Sequence, residues 1–296
     1  MSFLFDRGVD AFLPTLVTTD LEALHRSLAV IETVMGSGFS STEAEILGVH
    51  LEGPFLHPDR RGAHPEQFLQ DFTKDNVVKV VQHFAPIVRL ITVAPELDQT
   101  GEAIVLLQKM GIKISIGHTT CNLVQAQRAY DRQISMVTHL FNAMPGLHHR
   151  DPGIVGFALT SDFFCGLIAD GIHVHPKIID MVYRLKPDRL FLVSDALSPL
   201  GLPAGEYPWD ERRMIVKDGT CRLTDGTLAG TSLDIMSGVI NLVKWQICSL
   251  SKAIELVTIN PWRALGISPR QTALLGWYKK DDDTIGFHRV AQGGVY

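Results

Sequence analysis

The sequence predicts an α/β protein built as a TIM-like (β/α)8 barrel, and three observations carry that prediction. Short runs rich in Val, Ile and Leu alternate with amphipathic segments, the pattern of repeated βα units around a parallel sheet. No glycine-rich phosphate turn follows an early run, which removes the main argument for a doubly wound sheet. Polar residues close run after run: Glu52, Glu96, His118, His139, Asp170 and Asp195. In a barrel, that end of the strands is where groups from distant parts of the chain converge. One such residue is an ordinary loop start; six at equivalent places are hard to read that way.

The expected strands are AFLPTLV (11–17), EILGVHLE (45–52), IVRLITVA (87–94), IKISIGH (112–118), ISMVTHL (134–140), FFCGLIAD (163–170) and RLFLVSD (189–195). They show little strict alternation, as befits parallel strands covered on both faces. Helical patterns fall between them at 21–35, 76–84, 102–110, 123–131 and 178–185, with Asp20 and Asn122 placed to cap two of them. The count is seven where a closed barrel needs eight, and the chain opens on a helix end followed directly by a strand. The expectation is therefore a barrel that lacks its first strand. Residues 212–230 alternate apolar and polar around DG turns and predict a β-hairpin inserted on the barrel. Helices are expected at 233–247 and 251–259, the second ended by Asn260-Pro261. The tail predicts two short strands flanking a charged turn. The expected domains are an incomplete barrel over 1–272 and a C-terminal β remnant over 273–296.

With 296 residues, 46% of them hydrophobic and 20% charged, the chain can bury a large core. A net charge of −5 exerts no general pull on nucleic acid or an anionic membrane, so any anion must be held by a local site. No apolar run is long enough to span a bilayer, and Asp6 and Arg7 interrupt the N-terminus where a signal peptide needs apolar residues. Cys121, Cys165, Cys221 and Cys248 are scattered and read as small buried residues in a reducing compartment. The expectation is a cytoplasmic protein without nucleic-acid or membrane partners.

The stretch ILGVHLEGPF (46–55) ends an apolar run on a carboxylate, Glu52. One carboxylate and two imidazoles, Glu52 with His118 and His139, suit a hydrolytic Zn²⁺ or similar divalent ion with an open position for water. Either histidine alone reads more simply as a hydrogen-bonded residue at a strand end; the joint placement favours a metal. His50, two positions before Glu52, reads as a buried hydrogen-bonding residue. Asp195 is either a general base or a cap for the ALSPLG loop that follows it. In THLFNAMPGLHHRDPGIVG (138–156), Asn142 and its neighbouring amides could cradle a polar ligand and Arg150 could grip a phosphate, while His148 and His149 read as exposed bystanders. His173 and His175 in ADGIHVHP lie at period two, one facing a ligand and the other a bystander.

Taken together, FLPTLVTTD (12–20), GVHLEGPFLHPDRRGAHPE (48–66), TVAPE (92–96), IGHTTCN (116–122), THLFNAMPGLHHRDPGIVG (138–156), IADGIHVHP (168–176), LVSDALSPLG (192–201), LAGTSLDIM (228–236) and NPWRALGI (260–267) resemble the amidohydrolase superfamily, and within it the N-acetylglucosamine-6-phosphate deacetylases. The resemblance runs in family order over roughly residues 10–267. It implies Glu52, His118 and His139 as ligands of one divalent ion (zinc first, with iron, cobalt, manganese or nickel as alternatives). It implies Asp195 as the catalytic acid and base, and His64 as the group that polarises the acetyl carbonyl. Asn142, Ala143 and His173 would bind the sugar phosphate, and the loop containing Leu228, Thr231 and Ile235 would lie near the acetyl group. Arg150 would reach the phosphate in a partner's site, which implies a homodimer. The family's first sandwich strands, its PGFID-type barrel strand and its His-x-His pair have no counterpart in the sequence, in agreement with the count of seven runs. A mononuclear Glu-His-His site is what remains, and the C-terminal part of the sandwich is also shortened. Two other readings stay open: an amidohydrolase acting on another N-acyl sugar or a cyclic amide, and a non-catalytic sugar-phosphate-binding homologue.

Overall fold

The computed structural model describes residues 1–268, 274–280 and 285–290. Seven parallel strands form one curled sheet in strict chain order: Thr15–Val17, Val49–Glu52, Val88–Val93, Lys113–Ile116, Met136–Val137, Phe164–Ile168 and Leu190–Val193. Helices Leu21–Gly36, Lys74–Val81, Glu102–Lys109, Leu123–Asp131, Gly153–Thr160 and Pro176–Leu185 each separate one strand from the next. This is the TIM-like arrangement expected, with the first and seventh strands unpaired to one another among the described residues.

The two faces of the sheet do different work. Outward-facing Leu51, Ile91, Ile114, Val137, Leu167 and Leu192 join Val77, Val80, Ile104, Leu107, Ile154, Ile179 and Val182 of the helices in one buried core. Inside the curl, Leu90, Met136 and Phe191 pack with Ala264 into a small apolar cluster. Above it a polar row crosses the interior. Thr15 Oγ1 meets His50 Nδ1 at 3.0 Å, His50 Nε2 meets Thr92 Oγ1 at 2.8 Å, and Thr92 Oγ1 meets Thr138 Oγ1 at 2.8 Å, with Ser115 Oγ 2.7 Å further on. Thr92 lies on the third strand and Thr138 directly follows the fifth, so they can touch only across the inside. Burial holds His50 down to about 4, against the pull of Glu52, so it acts in this row as a neutral imidazole.

Several elements depart from the sequence expectation for identifiable reasons. The run 11–17 breaks at Pro14, which has no N–H for a ladder, and 45–52 breaks at Gly48, whose φ is +137°. Their first halves, Ala11–Phe12 and Glu45–Ile46, pair separately in parallel. A side chain at Gly48 would come within 2.7 Å of the Ile87 carbonyl oxygen. Helix Gly153–Thr160 was not anticipated, because GIVGFALT is apolar all round and lacks an amphipathic stripe. Asn260-Pro261 falls in the first turn of a further helix, Ile259–Leu265, where a missing N–H costs nothing. The insertion is a four-stranded antiparallel meander, Gly205–Trp209, Arg212–Lys217, Thr220–Leu223 and Leu228–Thr231, larger than the hairpin expected. Asp218 and Gly219, at φ +51° and +79°, form one of its DG turns. Asp20 and Asn122 cap their helices as expected, Asn122 through a full capping box with Gln125.

Strands Leu274–Lys279 and Ile285–Val290 pair in antiparallel fashion. Arg289 ties them to the chain start, bonding Asp10 at 2.7 Å and the Phe5 carbonyl at 2.6 Å while its guanidinium covers the Phe5 ring. The expected charged turn, at 281–284, and the expected boundary at 272/273 lie outside the described residues. No helix among the described residues is long and apolar enough to cross a membrane.

Candidate active site

The second barrel strand ends on Glu52, whereas His118, His139 and Asp195 each stand two residues beyond the fourth, fifth and seventh strands. All three have left-handed backbone, at φ +49°, +29° and +49°. For side chains other than glycine that conformation costs on the order of 1–3 kcal/mol, so surrounding bonds must impose it. The turn directs three side chains from separate βα units back over the barrel mouth.

Glu52, His118 and His139 meet there, all buried. His118 Nε2 and His139 Nε2 lie 3.1 and 3.0 Å from Glu52 Oε1, and 3.1 Å from one another. His118 donates its Nδ1–H to the Arg60 carbonyl at 2.8 Å, which turns the Nε2 lone pair toward the other two. His139 Nδ1 is buried without a partner among the described residues. Burial alone would raise the Glu52 carboxyl, but the hydrogen bonds and charges of His118 and His139 hold it well below the ordinary range. Burial likewise opposes charge on His139, and Glu52 overrides it, raising that imidazole to about 9. The donor set fits a divalent ion. The three separations approach the roughly 3.3 Å edge of a tetrahedron with metal–ligand distances of about 2.0–2.1 Å. Among the described residues this is the one such cluster.

Two titratable groups adjoin the trio. Burial, chiefly, and the charge of Glu52 push the Asp195 carboxyl above its usual value, while His139, His173 and His118 pull it down. Its side chain makes no hydrogen bond among the described residues, which leaves both oxygens available. His64 enters from the loop after the second strand, its ring edge-on to His118 with centroids 4.6 Å apart. The Thr18 N–H donates to His64 Nδ1 at 3.3 Å, and Thr18 Oγ1 lies 2.9 Å from the same atom. A backbone N–H can only donate, so Nδ1 is an acceptor and a neutral His64 carries its proton on Nε2. Burial and then the charge of His118 depress His64 to about 3, which keeps the ring neutral.

The remaining sequence candidates divide. Asn142 and Ala143 sit in a tight turn, with Phe141 and Ala143 at φ +79° and +50°. Asn142 Nδ2 donates to the His139 carbonyl at 3.1 Å, and Ala143 O accepts the Thr119 N–H at 3.1 Å. His173 donates Nδ1–H to Asp170 at 2.6 Å. Thr231 is turned inward, its hydroxyl donating to Ser194 O at 2.7 Å and its N–H to Asp195 O at 2.9 Å. Ile235 shares a small cleft with Thr231, Ser194 and Asp170, while Leu228 lies half-buried at the start of the same strand. Arg150 is exposed; its N–H donates to His148 Nδ1 at 3.3 Å and its guanidinium meets His149 Nε2 at 3.0 Å, with no carboxylate in ion-pair range among the described residues. Thr18 and Arg60, which orient His64 and His118, were not singled out as site residues: Thr18 acts through its backbone N–H and a short hydroxyl, and Arg60 through its carbonyl, groups too common along a chain to mark a site.

A model of the amidohydrolase family matches residues 28–271. The N-acetylglucosamine-6-phosphate deacetylase of Bos taurus is 39% identical over 282 residues, an alignment spanning 92% of this chain and 68% of the relative. Among solved structures, N-acetylglucosamine-6-phosphate deacetylase from Thermotoga maritima superposes with a TM-score of 0.82 at 32% identity, over 90% of this chain and 71% of that one. A mutant of the Mycobacterium smegmatis deacetylase, in complex with N-acetyl-D-glucosamine-6-phosphate, gives 0.83 at 30% identity with the same coverage.

Proposed function

The chain belongs to the amidohydrolase family, and from that premise we propose that it is a metal-dependent deacetylase. Its reaction is hydrolysis of N-acetylglucosamine 6-phosphate to glucosamine 6-phosphate and acetate. The observation that carries the reading is the meeting of Glu52, His118 and His139 at the barrel mouth, with Asp195 beside them. These three residues would hold the ion, and one carboxylate with two imidazoles suits Zn²⁺ best. When bound, the ion would supply Lewis acidity toward the amide oxygen and lower the pKa of water so that it ionises near neutral pH.

The chain's own groups account for the proton movements. Asp195, with both carboxylate oxygens unengaged, takes a proton from the attacking water as the new C–O bond forms at the acetyl carbon. His64 donates its Nε2–H to the carbonyl oxygen as negative charge develops there. Asp195 then returns the proton to the amide nitrogen as the C–N bond breaks, and the second water proton, left on the new carboxyl group, passes to the amine to give acetate and the protonated amino sugar. Asn142, Ala143 and His173 bind the sugar phosphate, and the loop from Leu228 to Ile235 borders the acetyl group. Arg150 reaches the phosphate of a second subunit's site in a homodimer; its exposed guanidinium, without a carboxylate partner among the described residues, suits that task. The setting we assign is the cytoplasm.

Acetate release from N-acetylglucosamine 6-phosphate, compared with the unphosphorylated sugar, tests substrate and phosphate together. Glu52→Gln should abolish both activity and retained metal. A folded wild-type chain that binds no divalent ion, or prefers the unphosphorylated sugar, would refute the reading.

A further inference from the structure

Glu96 stands three residues beyond the third barrel strand, in the 3-10 turn Pro95–Leu97, yet the reaction above gives it nothing to do. Its carboxylate is nonetheless fully engaged. Oε2 accepts the Thr119 hydroxyl at 2.6 Å, and Oε1 accepts the Thr120 N–H at 2.6 Å and the Thr120 hydroxyl at 3.2 Å. These two threonines follow directly on His118, whose left-handed backbone must be imposed from outside. On its other side, the same segment donates the Thr119 N–H to Ala143 O at 3.1 Å, in the turn that carries Asn142. Helix capping does not explain the arrangement, since Asn122 and Gln125 already cap Leu123–Asp131 between them.

We propose that Glu96 is a positioning residue that joins the metal site to the sugar-phosphate site through Thr119 and Thr120. Bonds from a hydroxyl and a backbone N–H to a charged carboxylate are among the stronger hydrogen bonds available. They hold the segment that sets the direction of His118 Nε2 and, through Thr119, the position of the Ala143 turn. Loss of the carboxylate lets His118 relax toward ordinary backbone angles and lets Thr119 drift from Ala143. Metal affinity and substrate affinity should therefore fall together. The second half of this inference rests on the deacetylase reading; the first does not.

The test compares Glu96→Gln, Thr119→Val and Thr119→Ser with Asp98→Asn. Asp98 is a buried carboxylate one turn away that binds Gly101 N and Ile104 N at the start of helix Glu102–Lys109 and takes no part in the site. Zinc affinity is read by competition with a chromophoric chelator, and KM and kcat are measured at saturating zinc. Glu96→Gln and Thr119→Val should weaken zinc binding about 10–100-fold, the range typical for loss of a group that orients a metal ligand. KM for N-acetylglucosamine 6-phosphate should stay raised even when zinc saturates. Thr119→Ser, which keeps the hydroxyl, should recover most of both effects, and Asp98→Asn should lower thermal stability without weakening zinc. Wild-type zinc affinity in Glu96→Gln, equal zinc loss in Asp98→Asn, or a Thr119→Ser no better than Thr119→Val would each overturn the proposal. Zinc titration needs no substrate, so a wild-type chain that released no acetate would refute the deacetylase reading while the comparison of zinc affinities still decided the role of Glu96.

Discussion

The ionisable groups of this site owe their states to a few individual contacts. Asp195 is half-buried with its carboxyl raised, its side chain has no hydrogen-bond partner among the described residues, and it faces Glu52, which repels its charge, and three histidines that attract it. Asp195→Asn preserves shape but cannot accept the proton of water. Its kcat should fall on the order of 10²–10⁴-fold while the metal content of the purified protein is unchanged, measurable by acetate release and elemental analysis. Asp170 illustrates the opposite sign. Burial raises its carboxyl, but His173 and the N–H groups of Ile172 and His173 together lower it below the ordinary value. A depressed native pKa stabilises the fold at pH values above the unfolded value of about 3.9 and ceases to do so as pH falls through the native one. Asp170→Asn should thus cost roughly 1–3 kcal/mol near neutral pH, with the gap to wild type closing in acid. Unfolding midpoints across that range would reveal a parallel offset if the pairing were unimportant.

At the scale of elements, the site is made by strand ends and by what braces them. The inserted meander reaches Asp195 through Leu228–Thr231, whose Thr231 N–H donates to Asp195 O while Leu197 N–H donates to Thr231 O, both at 2.9 Å. Gly230 makes that approach possible. Its φ is +147°, and a Cβ there would lie 2.6 Å from Asp195 O. Gly230→Ala should therefore lower kcat at least 10-fold with full metal content and destabilise by about 1–3 kcal/mol; unchanged kcat would show that the meander does not hold Asp195. Much of this level was legible in the sequence. Glu52, His118, His139 and Asp195 stood out because a polar residue closing a Val-, Ile- and Leu-rich run is conspicuous. The bracing was not legible, since Thr18, Arg60 and Thr231 act through backbone atoms or short hydroxyls from remote segments. Helix Gly153–Thr160 stayed hidden for a different reason, its burial on all sides erasing the period that would mark it.

Over the whole molecule, the open curl of seven strands is less exposed than the count suggested. The outer edge of Leu190–Val193 is occupied: Leu192 N–H donates to Leu256 O at 2.9 Å, and Asn260 Nδ2 donates to Leu190 O at 2.7 Å. Helices Leu250–Glu255 and Ile259–Leu265 thus satisfy part of an edge that would otherwise recruit another chain. Among the described residues, no cation bonds the turn proposed to bind the sugar phosphate. Asn142 and Ala143 lie in that turn, and Arg150 stands exposed a few residues on. If a second copy completes the site, two different defects can complement each other. Arg150→Ala lacks the phosphate contact it lends to its partner, and Asp195→Asn lacks its own base. In a mixed dimer, the site with intact Asp195 faces the subunit with intact Arg150. Co-refolding the two weak variants in equal amounts should restore about a quarter of wild-type sites, because half the dimers are mixed and each carries one good site. Activity no greater than the sum of the two variants alone would mean that Arg150 serves its own subunit or none.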